Sequence, residues 1–481
     1  MLFNSLAFAV FLPIVFVFYW IFPKQYRWII LLIASYYFYM SWSVQYVTLI
    51  LFATVVSYVS ALLIERCNNS IQKKFWLVIG VVFPLLLLFF FKYFNFFTDS
   101  ISVLLQQLTL PVKPITLKLM LPVGISFYTF QTLSYTIDVY RGSIPAEKHF
   151  GYYALFVSFF PQLVAGPIER PSNLLPQLRT ERVFDNDKAC YGLKLAAWGF
   201  FKKIVVSDLL AVYVDRIYDM PTAHHGLTLI IATVFFAIQI YCDFSGYSDI
   251  AIGTAKLFNV DLMQNFKAPY FSSSIREFWS RWHISLSSWL RDYVYIPLGG
   301  SRVSKPRHIR NLLITFFVSG IWHGANYTYI IWGALHGLLQ SLETLLPSRA
   351  CVESSGKKRI HAIRILLTFF LCCFCWIFFR ANSLADAWHI VTHLLAWEGG
   401  IFSTLLAAWS ALGMTLIDAF SIGCALLVLL SYDLASVHCD VITLIGKLHT
   451  WKRWIIYLLF MLFMLFLIPA HSSGAFVYFQ F

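Results

Sequence analysis

Ile314-Thr-Phe-Phe-Val-Ser-Gly-Ile-Trp322-His323-Gly324 is an apolar run that begins just after Arg310 and carries one titratable side chain, His323. A run of this kind reads as a membrane-inserted helix. An ionisable ring at membrane depth costs free energy and is usually kept for a function. The rest of the chain supports the membrane reading. Of 481 residues, 59% are hydrophobic and 12% charged, against about a quarter charged in an average soluble protein. Long apolar stretches recur from end to end, so the fold class expected is an all-α polytopic membrane protein.

No linker or low-complexity tract divides the chain. It reads as one membrane domain over residues 1–470, with a catalytic core about 119–380 and an aromatic tail at 471–481. Met1 to Phe8 holds no Lys or Arg, so the basic start of a cleavable signal is missing and Ala7 to Phe22 is expected to span. A net charge of +13 invites a nucleic-acid partner. That partner is excluded because the basic residues cluster at the ends of apolar segments, where topology explains them. Cys372, Cys373 and Cys375 point in different directions on a helix and read as small packing residues. No metal site is expected.

Lys24, Arg27, Arg66, Lys73 and Lys74 follow the first and third spans, which puts the N-terminus outside and these loops in the cytoplasm. Phe75 to Phe91 returns outward, and Leu119 to Ile137 comes back to Arg141 and Lys148. Phe150 to Pro167 is apolar but broken by Pro161, Gly166 and Pro167, the pattern of a segment that dips without crossing. Leu195–Ile217 and Leu227–Tyr247 cross out and in. Residues 256–310 are the most polar part and form the main cytoplasmic face. Asn311 to Leu345 is expected to make a hairpin into the membrane, followed by crossings at Ile363–Phe379, Leu412–Leu430 and Trp454–Ile468, leaving the C-terminus outside. About 11 or 12 helices of ~20 residues result.

A helix starting near Arg310 puts His323 about 20 Å in, past the midplane of a core about 30 Å thick. Gly320 and Gly324 allow close backbone approach there. A neutral imidazole at that depth can take a proton from an attacking hydroxyl. The second informative segment is Arg276-Glu-Phe-Trp279-Ser-Arg281-Trp282-His283-Ile-Ser285-Leu-Ser-Ser-Trp289-Leu-Arg291-Asp292-Tyr293-Val-Tyr295-Ile-Pro297-Leu-Gly299-Gly300. Trp279, Trp282, His283, Leu286, Leu290 and Tyr293 follow helical spacing on one face. Arg281, Ser285, Ser288 and Asp292 occupy the other. Such a helix lies in the interface or walls a polar channel. Asp138, Asp208, Asp215, Asp243 and Asp249 lie near apolar segments and read as hydrogen-bonding residues between helices.

These residues resemble a known family. Arg281 to Gly300, followed by Gly320-Ile-Trp-His-Gly-Ala, is similar to the membrane-bound O-acyltransferases, most closely their bacterial polysaccharide branch of alginate O-acetyltransferase type. Leu121-Pro-Val-Gly-Ile-Ser-Phe-Tyr-Thr-Phe-Gln, Tyr241-Cys-Asp-Phe-Ser-Gly-Tyr-Ser-Asp and Trp376-Ile-Phe-Phe-Arg-Ala support it. The resemblance implies a ring of tilted helices, with re-entrant and interfacial pieces, around a central tunnel. It makes His323 the catalytic histidine and His283 a second histidine of the same tunnel, lined also by Trp279, Trp282, Trp322 and Asp292. It implies no tightly bound cofactor and acetyl-CoA as donor substrate, with Arg302, Lys305, Arg307 and Arg310 toward its phosphates. It further implies the lipid bilayer of a bacterial inner membrane, an extracytoplasmic O-acetyltransferase partner protein and an extracytoplasmic polysaccharide acceptor. D-alanyl transfer to teichoic acid from a carrier protein is the nearest competing activity. A non-catalytic transporter or scaffold is the alternative of another class.

The tail Phe476-Val-Tyr478-Phe-Gln-Phe481 resembles the terminal motif of extracytoplasmic acyl-transfer systems, in which a tyrosine carries the acyl group. A phenyl ester is more activated than an alkyl ester, so onward transfer to a sugar hydroxyl runs downhill. The phenol, with a pKa of about 10, needs a base such as His323. On this expectation Tyr478→Phe folds normally and abolishes polymer acetylation in cells. Normal acetylation in that variant removes the carrier role.

Overall fold

The computed structural model describes residues 1–110, 113–164, 166–346, 357–397 and 399–467. Every regular element among them is helical. Among the described residues six helices are long and apolar enough to cross a membrane: Val47–Arg66, Ser70–Gln107, Leu227–Leu257, Arg359–Arg380, Leu416–Ser436 and Thr450–Leu467. Leu6–Ile21 and Ile401–Leu412 are apolar but shorter. The remaining stretches fold as short, interrupted or more polar helices.

The chain forms two compact units, Met1–Ala196 with Ser248–Met263, and Ala197–Tyr247 with Gln264–Phe481. In the first, Val47–Arg66, Ser70–Leu88 and Ile125–Tyr140 pack together through small side chains. A Cβ on Gly80 would lie 2.7 Å from Thr136 Cγ2 and 2.9 Å from Ser60 Cβ. Close approach over small residues is how helices associate where lipid offers no hydrophobic drive.

The segment expected to dip is two short helices, Phe150–Ser158 and Phe160–Leu163, with Phe159 between them outside the helical region. Its backbone is buried and its interrupted ladder is repaired by side chains. Ser35 Oγ accepts from the Phe160 amide at 3.1 Å, and Gln162 Nε2 donates to the Phe156 carbonyl at 2.9 Å. This agrees with the expectation that irregular backbone is buried in protein. The polar stretch after it is tied to residues beyond the Leu227–Leu257 helix. Lys188 and Lys256 both reach Asp261, at 3.0 and 2.8 Å, and Gln177 Nε2 donates to the Asp261 carbonyl at 2.8 Å.

In the second unit the expected crossing near Leu195–Ile217 is not one regular helix. A π-helical stretch, Phe201–Ser207, is inserted between Asn186–Phe200 and Asp208–Tyr218. The widened turn holds Lys203, which is buried with its amine 2.8 Å from Asp208 and 2.6 Å from Asp243. The bonding expected of Asp208 and Asp243 therefore has a charged centre that the sequence reading missed. Gly246 lets the Leu227–Leu257 helix approach, since a Cβ there would lie 3.0 Å from the Lys203 backbone nitrogen.

Removing one partner of a buried charge cluster costs about 3–5 kcal/mol because the others are left uncompensated. Lys203→Met is therefore expected to lower the thermal stability of the purified protein sharply. Adding Asp208→Asn and Asp243→Asn should recover a large part. An unaltered melting temperature in the single variant would show that the cluster contributes nothing.

Candidate active site

His323 is the last residue of the Lys305–His323 helix, and Tyr327–Leu345 returns alongside it. The expected hairpin is thus present, with His323 at its turn. The helix begins at Lys305 rather than Arg310. Eighteen rises of 1.5 Å put His323 about 27 Å from its start, of which the thirteen from Arg310 are the 20 Å expected. Neither hairpin helix is among the six apolar spans.

Three features hold the turn. Asn326 caps the second helix by accepting from the Thr328 amide at 3.1 Å, and its Nδ2 donates to the Asn382 carbonyl at 3.1 Å. The Tyr329 ring lies where any side chain on Gly324 would fall. The two helices touch backbone to backbone, because a Cβ on Gly320 would run into the Tyr329 carbonyl and one on Gly333 into that of Phe316.

The His323 ring is 7% exposed. It meets Trp332 edge-on at 4.9 Å and Phe379 at 5.3 Å. Trp322 beside it is 9% exposed. Trp376 joins the group, 5.2 Å from Phe379 and 5.8 Å from Trp332. Trp282 lies 5.0 Å from Trp376, and Trp279 lies 5.7 Å from Trp332. The sequence-predicted Trp279, Trp282 and His323 therefore belong to one aromatic cluster. Rings of this kind exclude water and lower the local dielectric, which strengthens every polar interaction inside.

The segment around His283 corrects the sequence reading. It is not one amphipathic helix but Ile275–Arg281, a break, Ile284–Leu290 and a π-helical Arg291–Tyr295. The break falls on His283, whose φ of +43° is in the left-handed region. That conformation costs of the order of 1–3 kcal/mol in a non-glycine residue and persists only where its surroundings impose it. Asn265 imposes it. Its carbonyl accepts from the Ile284 amide at 2.9 Å, and its side-chain Oδ1 meets His283 Nδ1 at 3.1 Å and Ser285 Oγ at 2.9 Å. Ser285, assigned to the polar face, is fully buried for this reason. Periodicity could not reveal the break, because the distant Asn265 supplies the bonds that replace the helical ones.

With an amide oxygen at Nδ1, the His283 ring carries its hydrogen there and leaves Nε2 as an acceptor. Burial pushes its pKa down to about 3, so the ring is neutral. Its edge contact is Phe244, at 4.5 Å. His283 and His323 thus rest on different rings, linked through Trp282, Trp376 and Phe379.

Asp292 is half-exposed and pairs with Arg291 at 2.8 Å. Arg302, Lys305, Arg307 and Arg310 are exposed at the opposite end of the hairpin from His323. Tyr478 lies outside the described residues. Among those residues, no group of three or more His, Cys, Asp or Glu side chains is placed to hold a metal ion.

The reading from sequence missed His336. It is fully buried, and its Nδ1 accepts from Trp279 Nε1 at 3.2 Å. Its ring lies 5.1 Å from Trp332, the ring that also packs on His323. The available signal was the spacing of Trp332 and His336, one helical turn apart. An imidazole at the end of the hairpin, enclosed by aromatic edges, is placed to take a proton from a hydroxyl nucleophile when it is in its neutral form.

Residues 147–388 match the family model described as MBOAT, the membrane-bound O-acyltransferase family. A probable alginate O-acetylase of Pseudomonas aeruginosa is 41% identical over 392 residues, covering 81% of this chain and 74% of the relative. One from Azotobacter vinelandii is 40% identical over 407 residues, covering 84% and 80%. A peptidoglycan O-acetyltransferase of Helicobacter pylori is 36% identical over 438 residues, covering 83% and 80%. The matched region holds both hairpin helices, the His283 break and the aromatic cluster, and the chain belongs to the membrane-bound O-acyltransferase family.

Proposed function

We propose that this acyltransferase takes acetyl groups from cytoplasmic acetyl-CoA and delivers them outward for O-acetylation of an extracytoplasmic polysaccharide. The observation that carries the reading is the position of His323, buried at the turn of a hairpin whose other end is strongly basic. The named relatives acetylate alginate or peptidoglycan, which supports a polysaccharide acceptor.

In the proposed reaction His323 takes the proton of a hydroxyl as its oxygen attacks the thioester carbonyl. The carbon–sulfur bond then breaks, and the thiolate leaves with that proton. General base assistance of this kind contributes typically about 10²–10⁴-fold. Neutral His283, with its Nε2 lone pair available, orients a substrate group rather than supplying charge. Arg302, Lys305, Arg307 and Arg310 contact the donor phosphates at the basic end. The same reading places the protein in a bacterial inner membrane with both termini outside. A separate extracytoplasmic transferase completes delivery, and Tyr478 serves as the intermediate acyl carrier.

The test is acetyl-CoA turnover by purified protein in detergent or vesicles, compared with His323→Ala. A loss of about a hundredfold or more in kcat is expected with the fold retained. An unchanged rate would point instead to a transporter or scaffold. Indifference to CoA, with dependence on an acylated carrier protein, would move the donor to D-alanyl type.

A further inference from the structure

Thr328, Trp332 and His336 occupy i, i+4 and i+8 positions of the Tyr327–Leu345 helix, so they share one face. All three are fully buried. Each has a polar atom with no hydrogen-bond partner: Thr328 Oγ1, Trp332 Nε1 and His336 Nε2. Native interiors leave few polar atoms unsatisfied, and each one needs a reason. Here three fall on a single stripe about 12 Å long, beside the candidate base.

The chemistry of two of these atoms is fixed. An indole N–H can only donate, so Trp279 Nε1 must find a bare nitrogen at His336 Nδ1, 3.2 Å away. The hydrogen of the neutral His336 ring is then on Nε2. Trp332 Nε1 and His336 Nε2 are therefore both donors awaiting an acceptor. Their surroundings are rings: Phe316, Phe278 and Trp376 lie within 6.4 Å of His336. Such surroundings suit neutral carbonyl oxygens rather than a phosphate.

The level of each group follows from the hairpin. Gly320 and Gly333 face each other, a Cβ on Gly333 lying 3.1 Å from Gly320 Cα. His323 is three residues from that level toward the turn, and His336 three residues toward the basic end. They are separated by about 9 Å along the axis, and Trp332 packs against both.

We propose that Trp332 and His336 form a binding track for the amide-bearing arm of the thioester donor. The Trp332 N–H donates to the amide carbonyl of the arm nearer His323, and His336 Nε2–H donates to the amide carbonyl further along it. The inference rests on the reading above that a thioester approaches His323 from the basic end. Coenzyme A and the prosthetic group of an acyl carrier protein share this arm chemistry.

The experiment uses full-length protein in vesicles and three donors: acetyl-CoA, an acetylated acyl carrier protein, and S-acetyl-2-mercaptoethanol, which has no amide. His336→Phe should raise KM for the preferred arm-bearing donor about 10- to 100-fold, with S-acetyl-2-mercaptoethanol turned over as before. His336→Gln, which keeps a side-chain N–H, should recover most of the loss. Trp332→Phe also alters the packing on His323, so it should lower kcat with every donor, but it should raise KM for the arm-bearing donor alone and provides a second variant if His336→Phe does not fold. Which arm-bearing donor the wild type prefers identifies the source of the arm. Equal rises in KM with all donors would overturn the track, because a packing residue or one bridged by structural water cannot sense the amides. A wild type inert toward every thioester would overturn the underlying donor reading and the track with it.

Discussion

The close contact of two helices at Gly320 and Gly333 is the constraint on which the site depends. Without a Cβ at either position, the Lys305–His323 and Tyr327–Leu345 helices touch through their backbones. That contact sets His323 against Trp332 and lets the pair share one aromatic enclosure with Phe379 and Trp376. A side chain at either glycine would push the helices apart and admit water where the imidazole has to work in a low dielectric.

A second theme is the cost of irregular backbone and charge in a nearly dry interior, and how the chain meets it. Asn265 replaces the helical bonds lost at the left-handed His283. Asn326 closes the hairpin turn and ties it to Asn382. Lys203 is matched by Asp208 and Asp243. At His283 and Lys203 the group is buried and meets a residue from elsewhere in the chain, Asn265 and Asp243, as low-dielectric burial requires. Thr328, Trp332 and His336 instead leave three polar atoms without a partner along one helix face.

Much of this was legible in one dimension. Hydropathy alone gave the helical membrane class, and the Asn311 to Leu345 hairpin followed from charge at its two ends. His323 was recognisable because a single imidazole in an apolar run is costly, and the family resemblance rested on residues that the family model also covers. The amphipathic pattern of Arg276 to Tyr295 misled, because periodicity reports which faces are apolar and not whether the ladder is continuous. His336 passed unnoticed because its importance lies in which of its nitrogens is occupied.

The sequence by itself determined that the chain is a bundle of membrane helices with a costly histidine inside it. Transfer free energy acts residue by residue and leaves its record in composition and spacing. The tertiary structure decided which groups meet: the kink at His283, the charge held by Lys203, and the donor stripe beside His323. Those outcomes depend on hydrogen bonds and ring contacts between residues far apart in the chain. Such contacts are set by how helices approach in space, and local spacing shows at most that Thr328, Trp332 and His336 share a face, not what that face meets.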